Sequence, residues 1–328
     1  MTEIEGAAFG LDMAVGPNGE ALVVWQDAAV DQGPAVRGVV VDPAGVASEP
    51  VVVAEALAYQ PLTAWGHGSF LVTYRASTGS RLLRMSADGS LVGGAPTEVG
   101  RVSDLLATAN GFALALHGSG PADVSLQWLD GEAQPLGAPL AISEPAGISE
   151  AGPAIAPQKD GLGFFWDDAR NANHDIYHRR TDAAGTPTSA EEVVVDDAET
   201  SRFVVAADLG DATAIAWIDD NMGVRVAKLA DDGAILAGPR VIDDITSPAA
   251  LAMAVSDAGI GLLIVGSVGG AILDVRDEGL ERLGATVLDA DPKVAFAALA
   301  STGEGFVAAW RKPEGIRVAR GCRPALPR

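Results

Sequence analysis

The 328-residue chain has a single cysteine, Cys322. No intrachain disulfide framework and no thiolate metal cluster can hold the fold together, so packing must. Basic residues are scarce: 22 Lys and Arg stand against 44 Asp and Glu, a net charge of −22. That balance makes phosphate backbones poor partners, and no nucleic-acid binding is expected. Long apolar runs are missing too. The stretch between Glu55 and Arg75 carries no charged residue, but Gln60, Pro61, Gly66, His67, Gly68 and Ser69 break it. The span between Asp257 and Asp274 is short and holds five glycines. Neither suits a membrane helix, and no membrane insertion is expected. The opening Met1-Thr-Glu-Ile-Glu-Gly6 has no basic n-region and no apolar h-region. A secretory signal is therefore not expected in the chain as given, and an extracytoplasmic location would require that one had been removed. A sustained 3.6-residue apolar period is also lacking, so almost no helix is expected.

The chain does have 48% hydrophobic residues, enough for a large core, punctuated by 39 glycines and 19 prolines. The apolar runs repeat. They end at Trp25, Tyr74, Leu116, Trp166, Trp217, Val265 and Trp310, with spacings of 49, 42, 50, 51, 48 and 45 residues. A second landmark keeps phase with the first: Asp/Gly turns at Asp42–Gly45, Asp88-Gly89, Asp130-Gly131, Asp182–Gly185, Asp232-Gly233 and Asp277–Gly279. Each repeat reads as four short strands: a small-residue strand such as Gly10–Val15, the landmark strand, a third strand such as Val224–Leu229, the Asp/Gly hairpin, and a Val-rich strand such as Pro50–Val53. Four strands in about 47 residues describe a propeller blade. The expected fold is an all-β, monomeric, seven-bladed β-propeller with blades near 9–57, 58–101, 102–147, 148–200, 201–247, 248–290 and 291–328 plus 1–8. The last repeat lacks its hairpin and fourth strand, with Cys322 in a tail among Arg and Pro. Met1–Ala8 are expected to pair with Ile316–Arg320 and close the ring, which also protects a sheet edge.

The fourth repeat is the fullest: Phe164-Phe-Trp166-Asp-Asp-Ala-Arg170-Asn-Ala-Asn-His-Asp175-Ile-Tyr177-His-Arg179. It resembles the Trp-x-Asp-x-Arg, Asp-Ile-Tyr, Arg pattern of bacterial repeat propellers of the myxobacterial type, many of them secreted or surface-associated. Trp25-Gln-Asp27 and Trp217-Ile-Asp219 keep the first part of that pattern. The resemblance implies binding or scaffolding and no particular reaction.

The same loop supplies the candidate ligand-binding residues, Asp167, Asp168, Arg170, Asn171, Asn173, His174 and Asp175. Asp168, Asn171, Asn173 and Asp175 offer closely spaced hard oxygen donors of the kind calcium takes. The alternative is a loop in which Asp168 and Arg170 bond within the blade and the Asn residues hold turns. No cofactor other than that calcium is expected. His67, His117, His174 and His178 lack zinc-ligand spacing, and neither a nucleophile elbow nor a phosphate-binding loop is present. Sixteen acids fall in loops of one face: Asp27, Asp31, Glu55, Asp104, Glu150, Asp167, Asp168, Asp196, Asp197, Glu199, Asp219, Asp220, Asp243, Asp244, Asp289 and Asp291. They suit either solvation or a cationic partner. The functional reading is a non-enzymatic binding scaffold for a protein or glycan partner. Two alternatives stand beside it: a carbohydrate-binding propeller using Trp65, Trp128 or Tyr59 as stacking platforms, and a hydrolase or lyase with two acids about 5 to 10 Å apart at the channel mouth.

Overall fold

The computed structural model describes residues 1–5, 8–28, 33–55, 57–118, 123–144, 152–170, 173–196, 200–219, 223–242 and 246–322. Every regular element among them is a strand. The strands form seven four-stranded antiparallel sheets arranged as a ring of blades. The strands nearest the axis are β2 (Ala8–Val15), β6 (Tyr59–Gly66), β10 (Val102–Thr108), β14 (Ala154–Gln158), β18 (Ser201–Asp208), β22 (Thr246–Ser256) and β26 (Ala295–Ser301). Each of these touches its counterparts in the two flanking blades, which closes the ring. Second come β3 (Ala21–Asp27), β7 (Ser69–Arg75), β11 (Gly111–His117), β15 (Gly161–Asp168), β19 (Thr213–Asp219), β23 (Gly259–Val268) and β27 (Phe306–Lys312). Third are β4 (Ala35–Val41), β8 (Ser80–Met85), β12 (Val124–Leu129), β16 (Asp175–Asp182), β20 (Gly223–Leu229), β24 (Gly270–Arg276) and β28 (Gly315–Cys322). The outer edges are β5 (Val51–Ala54), β9 (Leu91–Val99), β13 (Leu140–Ala141), β17 (Glu192–Val195), β21 (Ile235–Ile242), β25 (Arg282–Asp289) and β1 (Thr2–Glu5). The fold is therefore the seven-bladed β-propeller that the repeats predict.

The landmark residues occupy one slot. Trp25, Trp166, Trp217 and Trp310 lie on the second strands of their blades and are almost fully buried. They sit opposite Arg37, Tyr177, Arg225 and Arg317 on the third strands. Tyr74, Leu116 and Val265 take the same place in the other three blades and are buried as well. This slot lies in the seam between blades. Trp25 shares a cluster with Val307 and Ala309 of the last blade, and Trp217 shares one with Phe165 of the blade before it. A large ring fills a widening wedge that the small residues near the axis leave.

Closure uses fewer N-terminal residues than Met1–Ala8. Strand β1 pairs with β28 in the register Thr2↔Val318, Glu3↔Arg317, Ile4↔Ile316 and Glu5↔Gly315. Ala8 already begins β2, because its buried methyl pairs opposite Asp27 in the first blade. Ile4 is buried in the seam with Trp25. Cys322 is not in a tail: it ends β28, opposite Phe306, and is partly buried.

Candidate functional sites

The 167–175 loop joins β15 to β16 and is tied to itself. Asp168 is fully buried, and both its oxygens are engaged. Arg170 donates from Nη2 to Asp168 Oδ2 at 2.6 Å and from its backbone N–H to Oδ1 at 2.8 Å. Its Nη1 reaches Glu191 Oε2 at 2.6 Å. The guanidinium lies 4.4 Å above the Tyr177 ring, which itself stacks on Trp166. His174 Nδ1 meets Asp167 Oδ2 at 3.1 Å, and Asn173 Nδ2 donates to Asp175 Oδ1 at 3.2 Å. The hydrogen bond to Asp168, ahead of the bond and ion pair with Glu191, raises the Arg170 pKa above its ordinary value. The structure thus brings Asp168 and Arg170 together, pairs Asp167 with His174 and Asn173 with Asp175, and leaves Asn171 outside the described residues. A cation at Asp168 would have to displace Arg170. Among the described residues no group of three or more His, Cys, Asp or Glu could hold a metal ion.

The same brace explains the shorter Trp-x-Asp matches. Asp27 takes Arg37 Nε at 2.6 Å and Asp219 takes Arg225 Nε at 2.5 Å. In both blades the arginine stands opposite the tryptophan on the next strand. In the fourth blade Tyr177 holds that place, so the arginine arrives from the loop instead.

Among the described residues, most acids assigned to this face are engaged as well. Lys312 lies 3.3 Å from Asp289 and 3.8 Å from Asp291. Glu55 and Asp196 are exposed. Asp31, Glu150, Asp197, Glu199, Asp220, Asp243 and Asp244 lie outside the described residues.

Asp104 belongs elsewhere, on the propeller axis. A cavity of about 310 Å³ is lined by residues from all seven innermost strands or the residues leading into them. The register puts one residue per blade at one level: Asp12, Leu62, Asp104, Ala154, Val205, Leu251 and Ala298. Each stands opposite the residue just before its blade's landmark. Six of these inner strands carry a bulge near this level, which turns side chains toward the axis. Among the described residues lining the cavity, Asp12 and Asp104 are the two ionisable ones.

The backbone dictates what they do. An innermost strand is a sheet edge, so alternate N–H groups face the axis without a ladder partner. Asp12 Oδ2 accepts the N–H of Thr63 from the next blade at 2.7 Å, and the N–H of Met13 in its own strand also favours the charged carboxylate. Asp104 Oδ2 accepts Ile155 N–H from the next blade at 2.8 Å, while its Oδ1 takes Leu105 N–H at 2.8 Å. Burial raises both carboxyls, Asp12 to about 7 and Asp104 to about 6. The N–H donors oppose this rise, and the Asp104 charge adds to it at Asp12. Sequence reasoning placed Asp104 in a surface loop and passed over Asp12 within a small-residue strand. The available signal was an acid at the same blade phase in the first and third repeats.

A larger depression, about 840 Å³, opens at the seam of the third and fourth blades on the Asp/Gly-hairpin face. Leu106, Ala107, Trp128, Leu136, Pro157 and Leu162 line it, with Asn110, Lys159 and Asp160 beside them. Trp128 is half-buried, and its indole is fixed by a 3.0 Å hydrogen bond from Nε1 to the Ala184 carbonyl across the seam. Leu136 is 54% exposed at the rim. Gly185 lets its turn pack closely against the third blade beside Trp128: its φ is +88°, and a Cβ there would meet Leu126 and Trp128. Of the three proposed stacking platforms, Trp128 alone lines this groove. Trp65 lies edge-on to Phe70 in the second blade, and Tyr59 opens β6 at the other face.

The chain is therefore a seven-bladed β-propeller with an acid-bearing axial cavity and an apolar groove between two blades. No protein-family model matches the sequence, and no curated protein matches it. Solved structures do match. It is similar to Hsv2 of Kluyveromyces marxianus, with a TM-score of 0.56, 13% identity, and coverage of 95% of this chain and 92% of that one. Hsv2 of Kluyveromyces lactis gives 0.54 and 10%, covering 94% and 97%. Prolyl oligopeptidase B of Galerina marginata gives 0.51 and 11%, covering 92% of this chain and 46% of that one. At these identities the likeness is one of fold.

Proposed function

We propose that the protein is a non-catalytic binding propeller whose ligand site is the groove between the third and fourth blades, and whose partner is a polypeptide segment with an apolar anchor flanked by basic residues. The observation that carries this is the groove itself, a concave apolar surface with a rigid indole and a few polar groups at its edge. The net charge of −22 supplies the complement for a basic flank. The blade-four resemblance to repeat propellers points to binding as well.

Selection of displayed peptides on the immobilised protein, followed by titration, tests this. Selected peptides should combine a large apolar residue with Lys or Arg, and they should bind more weakly as salt rises. Leu136→Asp should abolish binding at an unchanged melting temperature, since Leu136 is exposed. Peptides that bind Leu136→Asp equally well, or no selected peptides at all, would sink the proposal. A second reading has one specific observation in its favour: an indole beside Asn110 and Asp160 is the equipment for stacking on a sugar ring. A glycan array decides between the two, because binding lost in Trp128→Ala would transfer the site to a carbohydrate.

A further inference from the structure

We infer that the axial cavity is a second binding site, for a small aliphatic amine whose ammonium sits between Asp12 and Asp104. The two carboxylates stand at the same level of the cavity, in the first and third blades, with Leu62 of the second blade between them. Asp104 is held by two backbone N–H groups and Asp12 by the Thr63 N–H of the next blade, so their positions are set before any ligand arrives. Those donors fix orientation and supply no counter-charge. Among the described residues no Lys, Arg or His lines the cavity, and a carboxylate there gains most from a cation.

The rest of the wall selects which cation. Val205, Leu251, Met253 and Leu299 offer hydrocarbon, and Ser103 adds one hydroxyl. A hard metal ion wants about six or more oxygen ligands, which this wall does not provide. An alkylammonium sheds its hydration more readily, and its methylenes match the apolar side. The volume of about 310 Å³ stands at the small end of ligand sites, which suits a short amine. The site is independent of the groove proposed above, since the two share no lining residue.

Calorimetry and thermal melts of the full chain with 1,4-diaminobutane and n-butylamine test this, with n-butanol and matched sodium chloride as controls. Both amines should bind and raise the melting temperature, while butanol and salt should not. Asp12→Asn keeps an oxygen for the Thr63 N–H and Asp104→Asn keeps one for one of its two N–H donors, and each should weaken amine binding by at least about tenfold. Methyl-labelled methionine spectra of the unmodified protein add a readout that needs no variant: the Met253 methyl should shift on titration with the amine. Equal effects of butanol and butylamine would overturn the inference. So would Asn variants that bind as well as the parent, or a Met253 methyl that stays in place.

Discussion

Oδ2 of Asp12 accepts the backbone N–H of Thr63 at 2.7 Å, although the two residues belong to different blades. Asp104 repeats the bond to Ile155 one pair of blades further round. A carboxylate that satisfies an inner-edge N–H ties neighbouring blades together at the axis, where few side chains are large enough to do so. It also places a charge in a poorly solvated spot, which has a consequence for stability.

Burial raises Asp12 from 3.8 to about 7. A carboxyl raised in the folded state favours folding fully below its unfolded value, and this contribution is lost as pH rises from about 4 through about 7. His178 works at the other end. Burial lowers it from 6.5 to about 4, so its contribution is complete above 6.5 and is lost as pH falls through about 4. Asp12→Asn should therefore melt several degrees above the parent near pH 8, at roughly 2 °C per kcal/mol, and match it near pH 4. Melting curves across that range check the sign. A variant less stable than the parent at high pH would show that the N–H bonds outweigh the burial of charge.

The four seam tryptophans should behave alike. Trp25, Trp166, Trp217 and Trp310 share one register slot and are all buried. Truncation to Ala should cost about 3 to 5 kcal/mol in each case, and Phe should cost less. Chemical denaturation of the four variants is the measurement. One tolerated truncation would mean that its blade does not use the shared slot.

Removing Met1–Glu5 should lower thermal stability sharply, because β1 is the outer strand of the last blade and its loss bares the edge of β28. Ile4→Asp is a milder form of the same test, since it puts a charge into the seam beside Trp25. We expect a loss of about 3 kcal/mol or more from that single change. An unchanged melting temperature in both would refute closure by pairing of the termini.

In the fourth blade, Asp168→Ala should destabilise by about 3 kcal/mol, because it removes the fully buried member of the network and leaves the Arg170 guanidinium with Glu191 alone. Arg170→Ala should cost a similar amount, and the double variant less than the sum. Calcium should leave the parent's melting temperature unchanged, since Arg170 already holds both oxygens of Asp168. A rise in melting temperature that saturates with calcium and disappears in Asp168→Ala would instead give the loop a cation site.

Much of the fold is legible in the chain because a blade is built from neighbours in sequence. Trp25 and Arg37 meet through one loop, and Asp42–Gly45 turn the next hairpin, so the period of about 47 residues and the strand count can be read directly. Even closure was legible, from a last repeat lacking its outer strand and an N-terminus with residues to spare. Local patterning did not show that Arg170 pairs with Glu191 as well as Asp168, since Glu191 lies 21 residues away. Nor did it show the axial cavity. Asp12 and Asp104 are separated by 92 positions, and only the curvature of the closed ring brings them to one level of one cavity. Trp128 likewise became a groove wall only when the fourth blade packed Ala184 against it. Hydrogen bonding and apolar alternation along the chain set the blades, whereas the sites arise where blades meet, and that is a property of the ring's geometry.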